Sequence, residues 1–243
     1  MALLKTIFLR TITVASMFLA NIAHADLYIV SGGGYKKPMQ ALIATYTQQS
    51  QHTVHAGYGN MRQITSQARA SSNIALAIGD KNFLAKTDLF IDYQTLGKGK
   101  MVIAWAQGRP AISEAPDLLK PEITRIAHPD AKKAIYGLAA TQWLSHKQLT
   151  PTLNDKLIAT STIPQVSSYL VAREIDAGFI NLTDAIGLEQ RIGGYTELND
   201  GYSDIEIVAA VVKNHENSPE LQEFLQFLTS AQAQDILKQY GLK

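Results

Sequence analysis

The glycine run Gly32-Gly33-Gly34, followed by Tyr35, Lys36 and Lys37, is the first stretch whose residue types suggest chemistry. Glycines between a strand and a helix let a ligand approach backbone N–H groups closely. The run is not G-x-G-x-x-G, because Lys37 holds the sixth position, so a dinucleotide reading is weak. Similar small-residue junctions occur at Gly57-Tyr58-Gly59-Asn60, on the approach to Ala134, and from Ser161 to Pro164. Each separates a strand-like run from a helix-like run. The start of a helix carries unpaired N–H groups and a partial positive charge, which together make an anion site. Several such starts converging could hold an oxyanion with no bulk positive charge. Any α/β protein has such junctions, however, and most of them bind nothing.

Other chemistries find little support. No G-x-S-x-G nucleophile turn, H-E-x-x-H helix, EF-hand loop or Walker lysine loop occurs. With no cysteine there is no disulfide, thiolate metal site or Cys nucleophile. His52 and His55 lie at odd spacing on a strand-like stretch and should face opposite sides, which makes a shared metal site a poor reading. The expectation is no metal, no cofactor and no catalysis, since no nucleophile or acid/base pair stands out. A formal net charge of +1 over 243 residues excludes nucleic-acid binding by bulk positive field.

The elements that position these junctions follow from hydrophobic periodicity. Residues 1–25 have the layout of a secretory signal peptide: Lys5 and Arg10, an apolar Thr11–Ile22 core, then Ala23-His24-Ala25. The core is shorter than a bilayer span. Removal after Ala25 takes the formal charge from +1 to −1. The mature chain is expected to be soluble and periplasmic, with no membrane insertion. No Cys follows the signal, which argues against a lipoprotein. Strands are expected at 26–31, 53–56, 74–78, 88–93, 101–106, 125–127, 157–159, 176–181 and 205–212. Helices are expected at Met39–Ser50 with Pro38 as opener, 61–70, 134–147, 164–174, 220–229 and 231–240. Gly57 to Asn60 and His128-Pro129 read as turns, Ser218 as an N-cap and Gly241 as a C-cap. Alternating strand and helix predicts an α/β fold with mostly parallel sheets.

The chain resembles the periplasmic molybdate-binding proteins, the solute receptors of molybdate ABC importers. His128-Pro129-Asp130 leading to Ala134-Ile135-Tyr136-Gly137-Leu138-Ala139-Ala140 is similar to the family's N-P-x-x-A-P-Y-G-x-A-A segment. Ile163-Pro164-Gln165-Val166, Tyr169-Leu170, Glu174, Ala177-Gly178-Phe179-Ile180-Asn181 and Thr183-Asp184-Ala185 resemble its V-R-Q-V-x-x-Y-V … E-A-D-A-G-I-V-Y-x-S-D-A run. Arg62-Gln63-Ile64 and the stretch Leu225–Leu242 add fragments. The resemblance implies a two-lobed periplasmic binding protein fold, each lobe a mostly parallel sheet flanked by helices, joined by crossing strands. Lobe one would be 26–98 plus 206–243 and lobe two 99–205, with crossings at Gly97–Met101 and Ser203–Ile207. It implies a small anionic solute held by backbone N–H groups and hydroxyls, an inner-membrane ABC permease as partner, and a monomer.

The departures bear on the ligand. The family's A-A-S-L-T reads Gly32-Gly33-Gly34-Tyr35-Lys36 here, so its serine falls on Gly34. Its G-S-S-G falls on Gly57-Tyr58-Gly59, and its tyrosine falls on Asn181. The resemblance leaves Gly34, Tyr58, Ala134 and Ile163 as backbone donors, with Tyr35, Tyr58, Lys36, Lys37 and Asn181 as candidate replacement side chains and Gly33 and Gly59 beside them in the expected site. Molybdate or tungstate is the family's default. The alternatives are another anion or polar solute, such as a phosphonate or organic acid, or a non-transport sensor or chaperone on the same fold.

Overall fold

A computed structural model of the protein describes residues 26–50 and 52–242. The signal segment 1–25 lies outside the described residues. The chain opens with β1 (Leu27–Gly32), a 3-10 turn (Gly33–Tyr35), α1 (Lys36–Gln49), β2 (Val54–Gly59), α2 (Met61–Ala70), β3 (Ile74–Asp80), α3 (Lys81–Leu84) and β4 (Phe90–Gly99). It continues through β5 (Met101–Trp105), β6 (Ile126–Pro129), α4 (Ile135–His146), α5 (Thr150–Leu153), β7 (Leu157–Thr160), α6 (Ile163–Ala172), β8 (Ala177–Asn181), α7 (Leu182–Ile186) and β9 (Gly194–Leu198). It ends with β10 (Ile205–Val212), α8 (Pro219–Leu228) and α9 (Ala231–Gln239).

These strands make two five-stranded sheets, in the orders β2-β1-β3-β10-β4 and β7-β6-β8-β5-β9, each flanked by helices. The chain crosses between them twice, from β4 to β5 at Lys100 and from β9 to β10. The sheets are mixed rather than mostly parallel. In each, two pairings are parallel and two, made by β10 or β5, are antiparallel. The reason is the crossing itself. β1, β3, β6 and β8 end at the cleft between the lobes, whereas β5 and β10 arrive from the other lobe and run away from it. Because both are paired on two sides, their sequences are near-continuous apolar runs, MVIAW and IEIVAAVV.

The cores pack helices onto these sheets. Met39, Leu42 and Tyr46 of α1 are buried. Tyr46 meets Phe224 edge-on at 5.0 Å between ring centroids, which ties α1 to α8. In the second lobe Trp143 of α4 packs on Phe179 of β8 at 5.6 Å. Gly137 lets α4 lie directly on the end of β6, since a Cβ there would overlap the Pro129 carbonyl.

Most expected elements are present, with differences at their ends. Gly57-Tyr58-Gly59 is the end of β2 rather than a turn, in register with Val30, Ser31 and Gly32 of β1. His128-Pro129 likewise ends β6 and pairs with Ala159-Thr160 of β7. Pro38 is the third residue of α1 rather than its opener, a place where the missing N–H costs nothing because first-turn N–H groups have no intrahelical acceptor. β9 carries the mixed sequence GYTEL on the edge of its sheet, and that pattern gave no strand signal. Ser218 stands at the N-cap position of α8 without a side-chain cap bond. Gly241 follows α9 with φ of 76°.

Candidate ligand-binding site

Four strand ends deliver four helix starts to the cleft. On the first lobe, β1 runs into the glycine turn and α1, with no side chain capping the turn. β2 runs into Asn60, whose Oδ1 accepts the Gln63 N–H at 2.9 Å while Gln63 Oε1 accepts the Asn60 N–H at 2.8 Å. This capping box leaves the Met61 N–H, at the first helical position, without an intrahelical partner. On the second lobe, the Ala134 N–H donates to Asp130 O at 2.9 Å, so the free first-turn donors of α4 are those of Ile135 and Tyr136. At α6, Thr162 Oγ1 accepts the Gln165 N–H at 3.3 Å and Pro164 has no N–H, which leaves Ile163 as first-turn donor.

These starts surround one cavity of about 30 Å³, lined by Gly32, Gly33, Gly34, Tyr35, Gly59, Asn60, Met61, Ala134, Ile135, Tyr136, Thr162 and Ile163. Its wall contains no charged side chain. The cavity is small, and the two lobes lie close together around it.

Direct lobe-to-lobe bonds maintain the shut form. Tyr35 and Tyr136 share a hydrogen bond of 2.6 Å between their hydroxyls. Burial pushes both phenols above their ordinary range, so both hydroxyls keep their protons. The pair sits against the backbone at Gly99, where Tyr136 Oη fills the place a Cβ would need. Asn60 Nδ2 donates to Ser161 O at 3.3 Å. Arg62 N–H reaches Lys133 O at 3.4 Å. Asn181 Nδ2 donates to Gly34 O at 2.9 Å, while its Oδ1 accepts the Asp184 N–H at 3.3 Å. Lys37 Nζ lies 3.6 Å from Asp184, which also accepts the Ser167 hydroxyl.

Of the residues expected from the sequence, Gly33, Gly34, Tyr35, Gly59, Ala134 and Ile163 meet at this cavity. Tyr58, Lys36, Lys37 and Asn181 do not line it. Tyr58 lies in β2, and Lys36 is exposed with Nζ 5.7 Å from the Tyr58 ring centroid. Asn181 is fully buried and spends both ends of its amide on the protein. Tyr136, Asn60, Met61, Ile135 and Thr162 were not anticipated. The N-M-R-Q spelling of the capping box at Asn60 was a readable signal. Nothing local marks the Tyr136 hydroxyl, whose partner Tyr35 belongs to the other lobe.

The histidines play no part here. His55 pairs with Asp26 at 3.3 Å and stacks on Tyr28, and His52 meets Glu223 at 3.1 Å. Among the described residues no cluster of three or more His, Asp or Glu could hold a metal ion. No helix of the described residues is long and apolar enough to cross a membrane.

Comparison with known proteins agrees with this architecture. The chain is 23% identical over 227 residues to the molybdate-binding protein ModA of Rhodobacter capsulatus, covering 90% of this chain and 88% of that one. The Azotobacter vinelandii periplasmic molybdate-binding protein superimposes with a TM-score of 0.79 at 21% identity, covering 89% of this chain and 98% of that one. PEB3 with bound L-phospholactate superimposes with a TM-score of 0.73 at 16% identity, covering 90% and 99%. The fold is that of the two-lobed periplasmic binding proteins. The profile of the bacterial extracellular solute-binding proteins matches residues 27–243, and the chain belongs to that family.

Proposed function

We propose that this protein captures a small oxyanion between its lobes and presents the closed complex to an inner-membrane ABC permease, as a periplasmic receptor without catalytic activity. The observation that carries the reading is the convergence of four helix starts on one small cavity with no charged side chain in its wall. First-turn N–H groups of Met61, Ile135, Tyr136 and Ile163, with the glycine turn at Gly33 and Gly34, supply fixed donors to an anion. Their helix dipoles add favourable potential. Burying an anion is costly unless its oxygens are hydrogen-bonded, and this geometry supplies donors without a countercharge. The two solved neighbours are named for molybdate and L-phospholactate, both anions. Molybdate and tungstate are therefore the first ligands to try.

The test is thermal unfolding of the mature protein against molybdate, tungstate, sulfate and phosphate. A ligand at 100 times its Kd stabilises the folded state by about 2.7 kcal/mol. For a chain of this size that raises Tm by roughly 5–10 °C. One anion of this panel is expected to produce such a shift. The absence of any shift, with the protein folded and monodisperse, would refute capture of these anions.

A further inference from the structure

The N–H-lined cavity has a neighbour whose chemistry is different. On the α1 side of the cleft, a groove of about 340 Å³ runs between the lobes, walled by Lys36, Lys37 and Gly33 from one lobe and Pro164, Asp184 and Arg191 from the other. Gly33 belongs to both spaces. The boundary between them is backbone facing a proline ring, since a Cβ on Gly33 would lie 3.4 Å from Pro164 Cγ and Cδ. On the opposite, α2 side the Asn60–Ser161 and Arg62–Lys133 bonds span the cleft, with a pocket of about 550 Å³ beside them. On the α1 side the cavity and the groove meet at Gly33.

The groove's polar groups are unequally committed. Lys37 is engaged with Asp184, whose other oxygen takes the Ser167 hydroxyl, and the Ser168 hydroxyl donates to Pro164 O. Among the described residues Lys36 and Arg191 make no ion pair, and Lys36 has only the Tyr58 ring beneath it. Two uncommitted cations, one from each lobe, therefore face a groove contiguous with the anion cavity.

We propose that this groove is a second anion subsite and that the solute is a phosphoryl or phosphonyl compound with a short carboxylate-bearing arm. The inference rests on the oxyanion reading of the cavity: the head group meets the N–H groups, the arm passes Gly33, and its carboxylate lies between Lys36 and Arg191. Such a ligand bridges the lobes twice, and its head keeps them apart enough for the arm to pass. Salt weakens the arm's share more than the head's, because both cations are exposed.

Titration calorimetry on the mature protein separates the two claims, using inorganic phosphate and methylphosphonate as armless probes and 3-phosphonopropionate as the armed one. The armed probe is expected to bind about tenfold more tightly than methylphosphonate. Arg191→Ala and, separately, Lys36→Ala should each remove about threefold or more of that advantage while leaving armless binding unchanged. Armless probes binding as tightly as the armed one would overturn the second subsite and leave the oxyanion site standing. So would an armed advantage that survives both substitutions. Failure of all three probes, together with the oxyanions above, would remove the reading on which the subsite rests.

Discussion

At the scale of single residues, Gly34 shows how a pocket can lose a ligand and gain a strut. The resemblance to molybdate-binding proteins puts a serine at this position. Here a Cβ would stand 2.9 Å from both Asn181 Nδ2 and Ile163 Cδ1. The Asn181 amide occupies the room a serine side chain would need and holds the Gly34 carbonyl instead. Gly34→Ser is therefore expected to weaken anion binding by about tenfold, through overpacking of the closed cleft, rather than to add a hydroxyl ligand. Gly34→Ser with Asn181→Ala should recover part of that loss. Calorimetry of both variants with the best anion checks this, and tighter binding by the single variant would show that Asn181 does not obstruct the site. The residue scale also shows where the sequence was readable. The glycine junctions were visible because only backbone chemistry was asked of them. The strut role of Asn181 was not, because its partner lies 147 positions away on the other lobe.

At the scale of elements, β6, which leads into α4, is held beside β8 by a buried polar anchor. Asp176, just before β8, is fully buried and accepts the Thr124 N–H at 2.7 Å, the Thr124 hydroxyl at 2.8 Å and the Arg125 N–H at 2.8 Å, with Arg109 Nε 2.8 Å away. Burial pushes its carboxyl upward, but these donors and the guanidinium outweigh burial and leave it below the usual range. A depressed folded-state pKa adds stability that is fully present above the unfolded value, near pH 3.9, and is lost as pH falls through the folded value. Asp176→Asn is expected to cost about 3 kcal/mol at pH 7, because Arg109 and the backbone donors lose their acceptor charge. Urea unfolding should show the gap between variant and parent narrowing below about pH 4. A pH-independent gap would mean that lost packing, not charge, is responsible. Most of the strand and helix order was legible from hydrophobic periodicity, but not β9 or the short helices α3, α5 and α7. The mixed sheets were not, because the direction of β5 and β10 follows from crossing between lobes, which periodicity does not encode. The same holds for the ends of β2 and β6, where sheet pairing claimed residues whose composition signals a turn.

At the scale of the whole molecule, the lobes are closed on a cavity of about 30 Å³ by the Tyr35–Tyr136, Asn60–Ser161, Asn181–Gly34 and Lys37–Asp184 contacts. A ligand that spreads the lobes must supply more favourable interaction than the lobe contacts it displaces. Its differential affinity for the closed form sets how far the population shifts. In the proposed function that compensation comes from main-chain donors at the helix starts. The most direct measurement is the amide ¹H–¹⁵N spectrum of the mature protein, titrated with whichever anion raises Tm most. Downfield proton shifts concentrated at Gly34, Met61, Ile135 and Ile163, saturating with the calorimetric Kd, are the predicted result. Saturable binding that leaves those four amides in place and moves signals elsewhere would contradict it.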